Sequence, residues 1–198
     1  MTGNTLVVAR YDEDISWIDQ VPDDWTVQIV QKQIDGVRGD MPNVGREAAS
    51  YLWAIQRLYD DLDDADAVAF VQGWPWSHYN QWLTWRAKRD RDPQRPILAF
   101  MSELQMPPGF KFFTGIEFCE PDGRPTGRCL HTLGHYYRKW TGQEPPPRYL
   151  YSPGAQFIIT AQKMHSYPIG KYQEIMDDIV EDPGGPWIAE RLWGYLWP

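Results

Sequence analysis

The chain predicts an α/β protein, with a mainly parallel sheet carrying helices on both faces. Three observations carry that expectation. Leu6-Val7-Val8-Ala9 and Asp66-Ala67-Val68-Ala69-Phe70-Val71 are short, nearly continuous apolar runs, the pattern of strands covered on both sides. Between them, from Gly45 to Tyr59, Ala48, Leu52, Ile55 and Leu58 recur at helical spacing. Strand and helix patterns then alternate along the chain, as in crossover-connected parallel sheets. At 198 residues the chain, 1-198, fits a single domain with a substantial core.

Each element follows in order. Leu6–Ala9 opens as the first strand, and the alternating Thr26-Val27-Gln28-Ile29-Val30 reads as the second. Asn43 is the expected N-cap of the 45–59 helix, where Glu47 suits the positive end of the dipole. After the third strand come a helix over Ser77–Arg89 and a fourth strand at Pro96–Phe100. Met106 to Pro147 is rich in Gly and Pro and reads as an extended excursion with a helical stretch at Leu130–Trp140. Ala155–Ile159 is a further strand hinged at Gly154. Ile169–Val180 and Trp187–Leu196 are closing helices separated by Asp182-Pro183-Gly184-Gly185-Pro186.

Composition narrows the function. Hydrophobic residues at 42% and charged residues at 23% are ordinary for a soluble globular protein. The unusual feature is 11 Trp beside 11 Tyr, more aromatic area than a core needs, so some rings are expected to line a cleft. A net charge of -8 argues against general nucleic-acid binding. Cys119 and Cys129 flank one loop without a wider disulfide framework, so reduced thiols are expected. No charged-then-apolar leader and no membrane-length apolar run is present, and the expectation is a cytoplasmic protein with no membrane partner.

Polar clusters sit where apolar strands end or helices begin, and in an alternating α/β chain such edges converge on one crevice. Arg10, Tyr11, Asp12, Glu13 and Asp14 follow the first strand; Arg10 suits a phosphate and a carboxylate suits a ribose hydroxyl. Acids capping a solvated turn are the plainer alternative. The segment from Arg38 to Glu47 places Asn43, Gly45 and Arg46 at a helix N-terminus, a natural anion site, with an Arg46–Glu47 surface pair as its alternative.

Gln72, Gly73, Trp74, Trp76 and His78 follow the third strand. His78 is a candidate general base or metal ligand, set against an ordinary hydrogen-bonding histidine. The acidic run Asp60–Asp66 lies at the opposite end of that strand and reads as a solvated turn. Gly154 permits close backbone approach and Gln156 offers an amide. Glu190 and Arg191 interrupt an apolar helix and either point into the crevice or pair with each other. His131 and His135 stand at i, i+4 near Cys129 but lack a third zinc ligand. Phosphate-loop, GxGxxG, HExxH and GxSxG patterns do not occur.

With these residues on the page, a resemblance adds to the reading. Ala9-Arg10-Tyr11 with Glu13-Asp14, Asn43-Val44-Gly45-Arg46-Glu47, Gln72-Gly73, Gly154-Ala155-Gln156-Phe157 and Glu190-Arg191-Leu192-Trp193 resemble, in order over nearly the whole chain, a domain-of-unknown-function family of fungi and bacteria. Its members are similar to GT-A-type glycosyltransferases, which implies a Rossmann-like fold and transfer of a sugar from a nucleotide-sugar donor to a hydroxyl acceptor. The acceptor would be a saccharide, a protein or a hydroxylated base in DNA. The last would use the basic strip Arg86, Lys88, Arg89, Arg91 and Arg95.

The resemblance would set the nucleotide near Arg10, Tyr11 and Glu13 and the sugar-diphosphate near Asn43, Gly45 and Arg46. Glu13, Gln72, His78 and Glu190 are the candidate catalytic residues, and Trp74 and Trp76 would stack on the acceptor. A divalent cation, manganese or magnesium, is the one cofactor the resemblance implies. Gln72, Gly73 and Trp74 stand where such enzymes keep an Asp-x-Asp metal motif, leaving Arg10, Arg38 and Arg46 to neutralise the diphosphate. A non-catalytic nucleotide- or carbohydrate-binding module and a metal-dependent hydrolase are the alternatives.

Overall fold

The computed structural model describes residues 3–34, 38–75, 110–112 and 117–197. Strand β1 (Asn4–Arg10) runs through the middle of the protein, and its Leu6, Val7 and Val8 are wholly buried. It pairs in parallel with β2 (Trp25–Gln31) on one side and β3 (Ala67–Gln72) on the other. The register aligns Arg10 with Gln31 and Ala9 with Gln72, so the three carboxyl ends finish level. Pairing runs on past the strand ends, where the Lys32 N–H donates to the Arg10 carbonyl at 2.8 Å and the Gly73 N–H to the Ala9 carbonyl at 2.7 Å.

Beyond β3 the sheet continues with β7 (Phe157–Thr160) and then β4 (Phe110–Phe112), in the order β2-β1-β3-β7-β4. Strand β7 runs antiparallel to both neighbours. The sheet is therefore mixed: the expected parallel strands form its β2-β1-β3 part, and β7 adds two antiparallel pairings beyond them. A fully buried run such as Phe157-Ile158-Ile159 has the same pattern in either direction, so periodicity could not reveal its reversal. The strand also begins two residues later than expected, because Ala155 sits in a turn at φ 50° after Gly154 at φ 89°.

The strand residues alternate between two cores. Val7, Ala9, Val68, Phe70, Phe157 and Ile159 face helices α1 (Arg46–Leu58), α2 (Leu133–Thr141), α4 (Ile169–Glu181) and α5 (Gly185–Leu196). Tyr51 packs there against Phe70, Phe157 and Trp193, at ring-centroid distances of 5.2, 5.9 and 6.1 Å. Leu6, Val8, Ala69, Val71 and Ile158 face the other way, against Trp25 and Trp17 of a single 3-10 turn, Ser16–Gln20. Among the described residues the long helices thus lie on one face only. The helix expected at Ser77–Arg89, the strand at Pro96–Phe100 and the basic strip Arg86–Arg95 lie outside the described residues.

The Gly- and Pro-rich excursion contains more order than its composition suggests. Its β5 (Glu117–Cys119) pairs antiparallel with β6 (Tyr149–Tyr151), and α2 begins at a Thr132 cap whose hydroxyl accepts from the His135 N–H at 3.3 Å. A short α3 (Ala161–Met164) follows β7. Cys119 and Cys129 are free thiols, and His131 stacks on His135 at 4.1 Å. At the amino end of β3 the acidic turn is tied down, with Asp64 2.7 Å from the His165 ring. No helix of the described residues is long and apolar enough to cross a membrane.

Asp182 fixes the turn into α5. Its carboxylate, 2% exposed, accepts from the Leu130 N–H at 3.0 Å, the Tyr136 hydroxyl at 2.6 Å and the Gly184 N–H at 2.7 Å. Removing it strands three donors at once, two of them, on Tyr136 and Gly184, buried. Asp182→Ala should cost about 3 kcal/mol or more in urea denaturation, a drop of roughly 6–12 °C in melting temperature. An unchanged midpoint would mean that this carboxylate does not anchor the turn.

Candidate functional site

A cavity of about 310 Å³ opens at the carboxyl ends of the three parallel strands, beneath the N-terminus of α1. Since β1 leads to β2 on one side while β3 lies on the other, this is the point where the strand order reverses, the usual ligand crevice of open α/β sheets. Arg10, Tyr11 and Glu13 come from the end of β1 and its loop, Gln72 from the end of β3, and Asn43, Arg46 and Glu47 from the approach to α1 and its first turn. A second lobe of about 100 Å³ shares Arg46, Glu47 and Gln72 and is completed by Pro186, Trp187 and Glu190 of α5. The segments that sequence reasoning singled out, distant in order, therefore meet around one cleft.

Geometry assigns each a posture. The Arg10 Nε donates to the Glu13 carbonyl at 3.0 Å and its Nη1 to the Gln31 Oε1 at 2.6 Å. Two bonds hold the guanidinium while its remaining N–H groups are uncommitted. The Glu13 carboxylate accepts from the Tyr11 N–H at 2.7 Å. It also lies where a side chain on Gly73 would go, since a Cβ there would sit 2.7 Å from Glu13 Oε2. A side chain there would have to push the carboxylate aside, and the Gly73 carbonyl in turn accepts from the Trp17 indole at 2.9 Å.

The N-cap of α1 is Gly45 at φ 63°, not Asn43, and no side chain caps the helix. A Cβ at Gly45 would lie 2.5 Å from the Ala49 Cβ, so the tight start excludes larger residues and frees Asn43 to line the cavity. Arg46 follows at φ 49°, strained for a residue with a side chain. Its guanidinium lies 5.0 Å over the Trp187 ring and 3.5 Å from Glu47. Uncapped N–H groups and the dipole make this helix start electropositive.

Two residues were missed by the sequence reading. Lys32 is 4% exposed, yet its ammonium lines the cavity, donating to the Val44 carbonyl at 2.5 Å and approaching the Met41 sulfur at 3.5 Å. Burial pulls its pKa down to about 8, while Glu47 acts to raise it. Burial likewise raises the Glu47 carboxyl, against the lowering effect of its own backbone N–H and Arg46. Ser50, wholly buried one turn along α1, also lines the cavity, and its hydroxyl has no hydrogen-bond partner. The available signals were weak: Lys32 continues the alternation of Val30, and Ser50 extends the small-residue run Ala48-Ala49.

Other expected residues lie elsewhere. Asp12 and Arg38 are exposed and line neither lobe, because the chain doubles back between Gln31 and Asp40 and carries Arg38 outward. Trp74 is 46% exposed and outside both lobes. Gln156 is buried and donates to the Pro75 carbonyl at 2.8 Å, bracing the loop after β3 rather than facing the cleft. The Gly154 N–H donates to Glu190 Oε1 at 2.6 Å, and Arg191 holds Oε2 at 2.7 Å. Glu190 thus borders the second lobe as a clamp between α5 and the turn before β7. Trp76 and His78 lie outside the described residues.

Comparison with protein-family models, curated proteins and solved structures gives no match. The chemistry must therefore be read from the cleft itself. Gln72, Gly73 and Trp74 offer an amide, a bare backbone and an indole, a poor donor set for a hard divalent cation. Among the described residues no group of three or more His, Cys, Asp or Glu could hold a metal ion. What the cleft does present is cationic nitrogen from three directions.

Gly73→Ala tests the coupling of the β3 end to the loop after β1. The added methyl should displace the Glu13 carboxylate from the Tyr11 N–H and lower the melting temperature by roughly 2–8 °C, a cost of about 1–2 kcal/mol. Gly73→Ala combined with Glu13→Ala should recover part of that loss, because the carboxylate contacts are gone and only the Cβ contact at 3.2 Å stays. Additive losses in the double variant would show that the two positions are independent.

Proposed function

We propose that the cleft binds a nucleotide-sugar and that the protein is a glycosyltransferase moving the sugar to a hydroxyl acceptor. The observation that carries this reading is the convergence of Arg10, Lys32 and Arg46 with the start of α1 at the strand-order reversal. That is an arrangement suited to a diphosphate rather than a neutral ligand. In the proposed reaction the bond from the anomeric carbon to phosphate oxygen breaks as the acceptor oxygen bonds to that carbon. The electron pair leaves with the nucleoside diphosphate. Arg46, the uncapped N–H groups of α1 and Arg10 stabilise the charge that develops there.

The acceptor proton needs a base. Glu13 is occupied by the Tyr11 N–H, and Glu190 by Gly154 and Arg191. Glu47, whose carboxyl is raised by burial and which borders both lobes, is the better placed carboxylate. The donor set after β3 does not fit a divalent metal, so no step is routed through one. Trp187 takes the place at the second lobe that was expected of Trp74.

Incubating the purified protein with UDP- and GDP-sugars should release free nucleotide slowly, water standing in for the acceptor. Arg46→Ala should lower that rate by about 100-fold, the scale of losing one preorganised charge-stabilising donor. Binding of the nucleotide-sugars without any turnover would instead favour a non-catalytic module. Failure of every nucleotide and nucleotide-sugar to bind would overturn the reading.

A further inference from the structure

The cleft has a floor as well as a rim. Tyr11, Asn43 and Arg46 are exposed at its mouth, whereas Lys32 is 4% exposed and Ser50 is wholly buried. At the floor the electrostatic balance is incomplete. Among the described residues Lys32 forms no ion pair; its partners are a carbonyl oxygen and a thioether, neither of which neutralises an ammonium. The Glu47 carboxylate borders the same cavity and acts on the Lys32 charge from a distance, but its ion pair is with Arg46. A buried cation without a counter-ion is costly, and so is a buried hydroxyl without a partner. Both defects open on the same space, below a helix start that no side chain caps.

We propose that Lys32 and Ser50 form a deep oxyanion subsite that holds a phosphoryl group of the ligand. The ammonium supplies charge and the third N–H that Val44 and Met41 leave over, and the Ser50 hydroxyl donates to a second phosphoryl oxygen. Anchoring by the Val44 carbonyl holds the lysine in the extended posture that reaches the cavity. Under the glycosyl-transfer reading this group belongs to the donor's diphosphate. The subsite itself requires only a phosphorylated ligand, so the two ideas can fail separately.

The charged and titratable groups that line the cavity with Lys32 are Arg46 and Glu47 from α1, Arg10 from β1, and Tyr11 and Glu13 from the loop after it. Lys32 itself is the cation that burial brings down to a pKa of about 8. Below that pH the folded protein carries the buried charge. As pH climbs from about 8 toward the ordinary lysine value, the folded form sheds the proton and the oxyanion loses its partner.

The test uses inorganic diphosphate, inorganic phosphate and citrate as probes, in EDTA, read by titration calorimetry and thermal shift. Diphosphate should bind the wild type and raise its melting temperature, and Lys32→Met should weaken that binding about 10- to 100-fold. Because the substitution removes an uncompensated buried charge, the ligand-free variant should melt at the wild-type temperature or above. Ser50→Ala should weaken binding about three- to tenfold. Wild-type affinity should fall as pH rises beyond about 8, while Lys32→Arg keeps its affinity through that range because guanidinium does not titrate there.

A Lys32→Met protein that melts several degrees lower yet binds diphosphate as before would overturn the subsite, since the lysine would then be structural. Equal affinity for citrate and diphosphate would overturn its phosphoryl preference. Diphosphate binding that depends on Lys32, without any turnover of nucleotide-sugars, would keep the subsite and sink the glycosyltransferase reading. Turnover that survives Lys32→Met intact would do the reverse.

Discussion

The level finish of three parallel strands is the constraint on which the rest of this molecule depends. Strand β1 is buried on both faces, so its main chain must be paired on both edges and its side chains must be apolar up to Ala9. Where pairing ends, polarity begins abruptly. Arg10, Lys32 and Gln72 therefore emerge at one level, and α1 starts directly above them because the β2-to-β3 crossover passes there. Charge gathers at this edge as a consequence of topology. The opposite edge shows the contrast: the acidic turn before β3 bonds to itself and to His165.

Much of this edge was legible from residue order alone. A polar residue directly after a buried apolar run must lie at a sheet edge, which is why Arg10 and Gln72 could be placed together before any coordinates. The start of α1 was legible from the helical spacing of Ala48, Leu52, Ile55 and Leu58, although its cap was expected at Asn43 and is Gly45. The direction of β7 was not, since a strand buried on both faces carries no asymmetry in its pattern. Lys32 was hidden for a different reason. A lysine after an alternating strand reads as solvent-facing, and only the third dimension shows that its row, through Val30, lies under α1. Ser50 was hidden by its size, since small residues near a helix start read as packing. Arg38 and Asp12 show the converse error, in which charge close in sequence to the site was taken for charge in the site.

The cleft is held by backbone features as much as by side chains. Gly45 and Arg46 take consecutive positive φ values, and Ala155 takes another beside Gly154. Such conformations persist only where their surroundings enforce them. At α1 the enforcing contacts are the Ala49 and Ile179 side chains against Gly45 and the Trp187 ring under Arg46. At the turn before β7, Glu190 draws in the Gly154 N–H while Arg191 lies 4.4 Å over the Tyr151 ring. Helix α5 therefore braces both strained turns, with Trp187 and Glu190 on one side and Trp193 in the aromatic core behind. Its aromatic richness has a structural explanation here: wide flat rings lock the helix that locks the site.

This arrangement explains why the cations at the cleft are so unequal. Arg46 at the rim is exposed, stacked and paired with Glu47, so it can exchange its partners for a ligand at little cost. Lys32 at the floor has no such partners, and its charge is tolerated only because the rest of the fold is stable enough to bear it. A protein under selection for stability alone would replace that lysine with an apolar residue of similar length, because the carbonyl and thioether beside it give too little in return. Retaining an ammonium there makes physical sense when something negative completes it. The same reasoning applies to the Ser50 hydroxyl, where alanine would fill the space without leaving an orphaned donor. Buried charge and an unpartnered hydroxyl collect at one end of one sheet, beside a strained helix start, and the same anion would answer both.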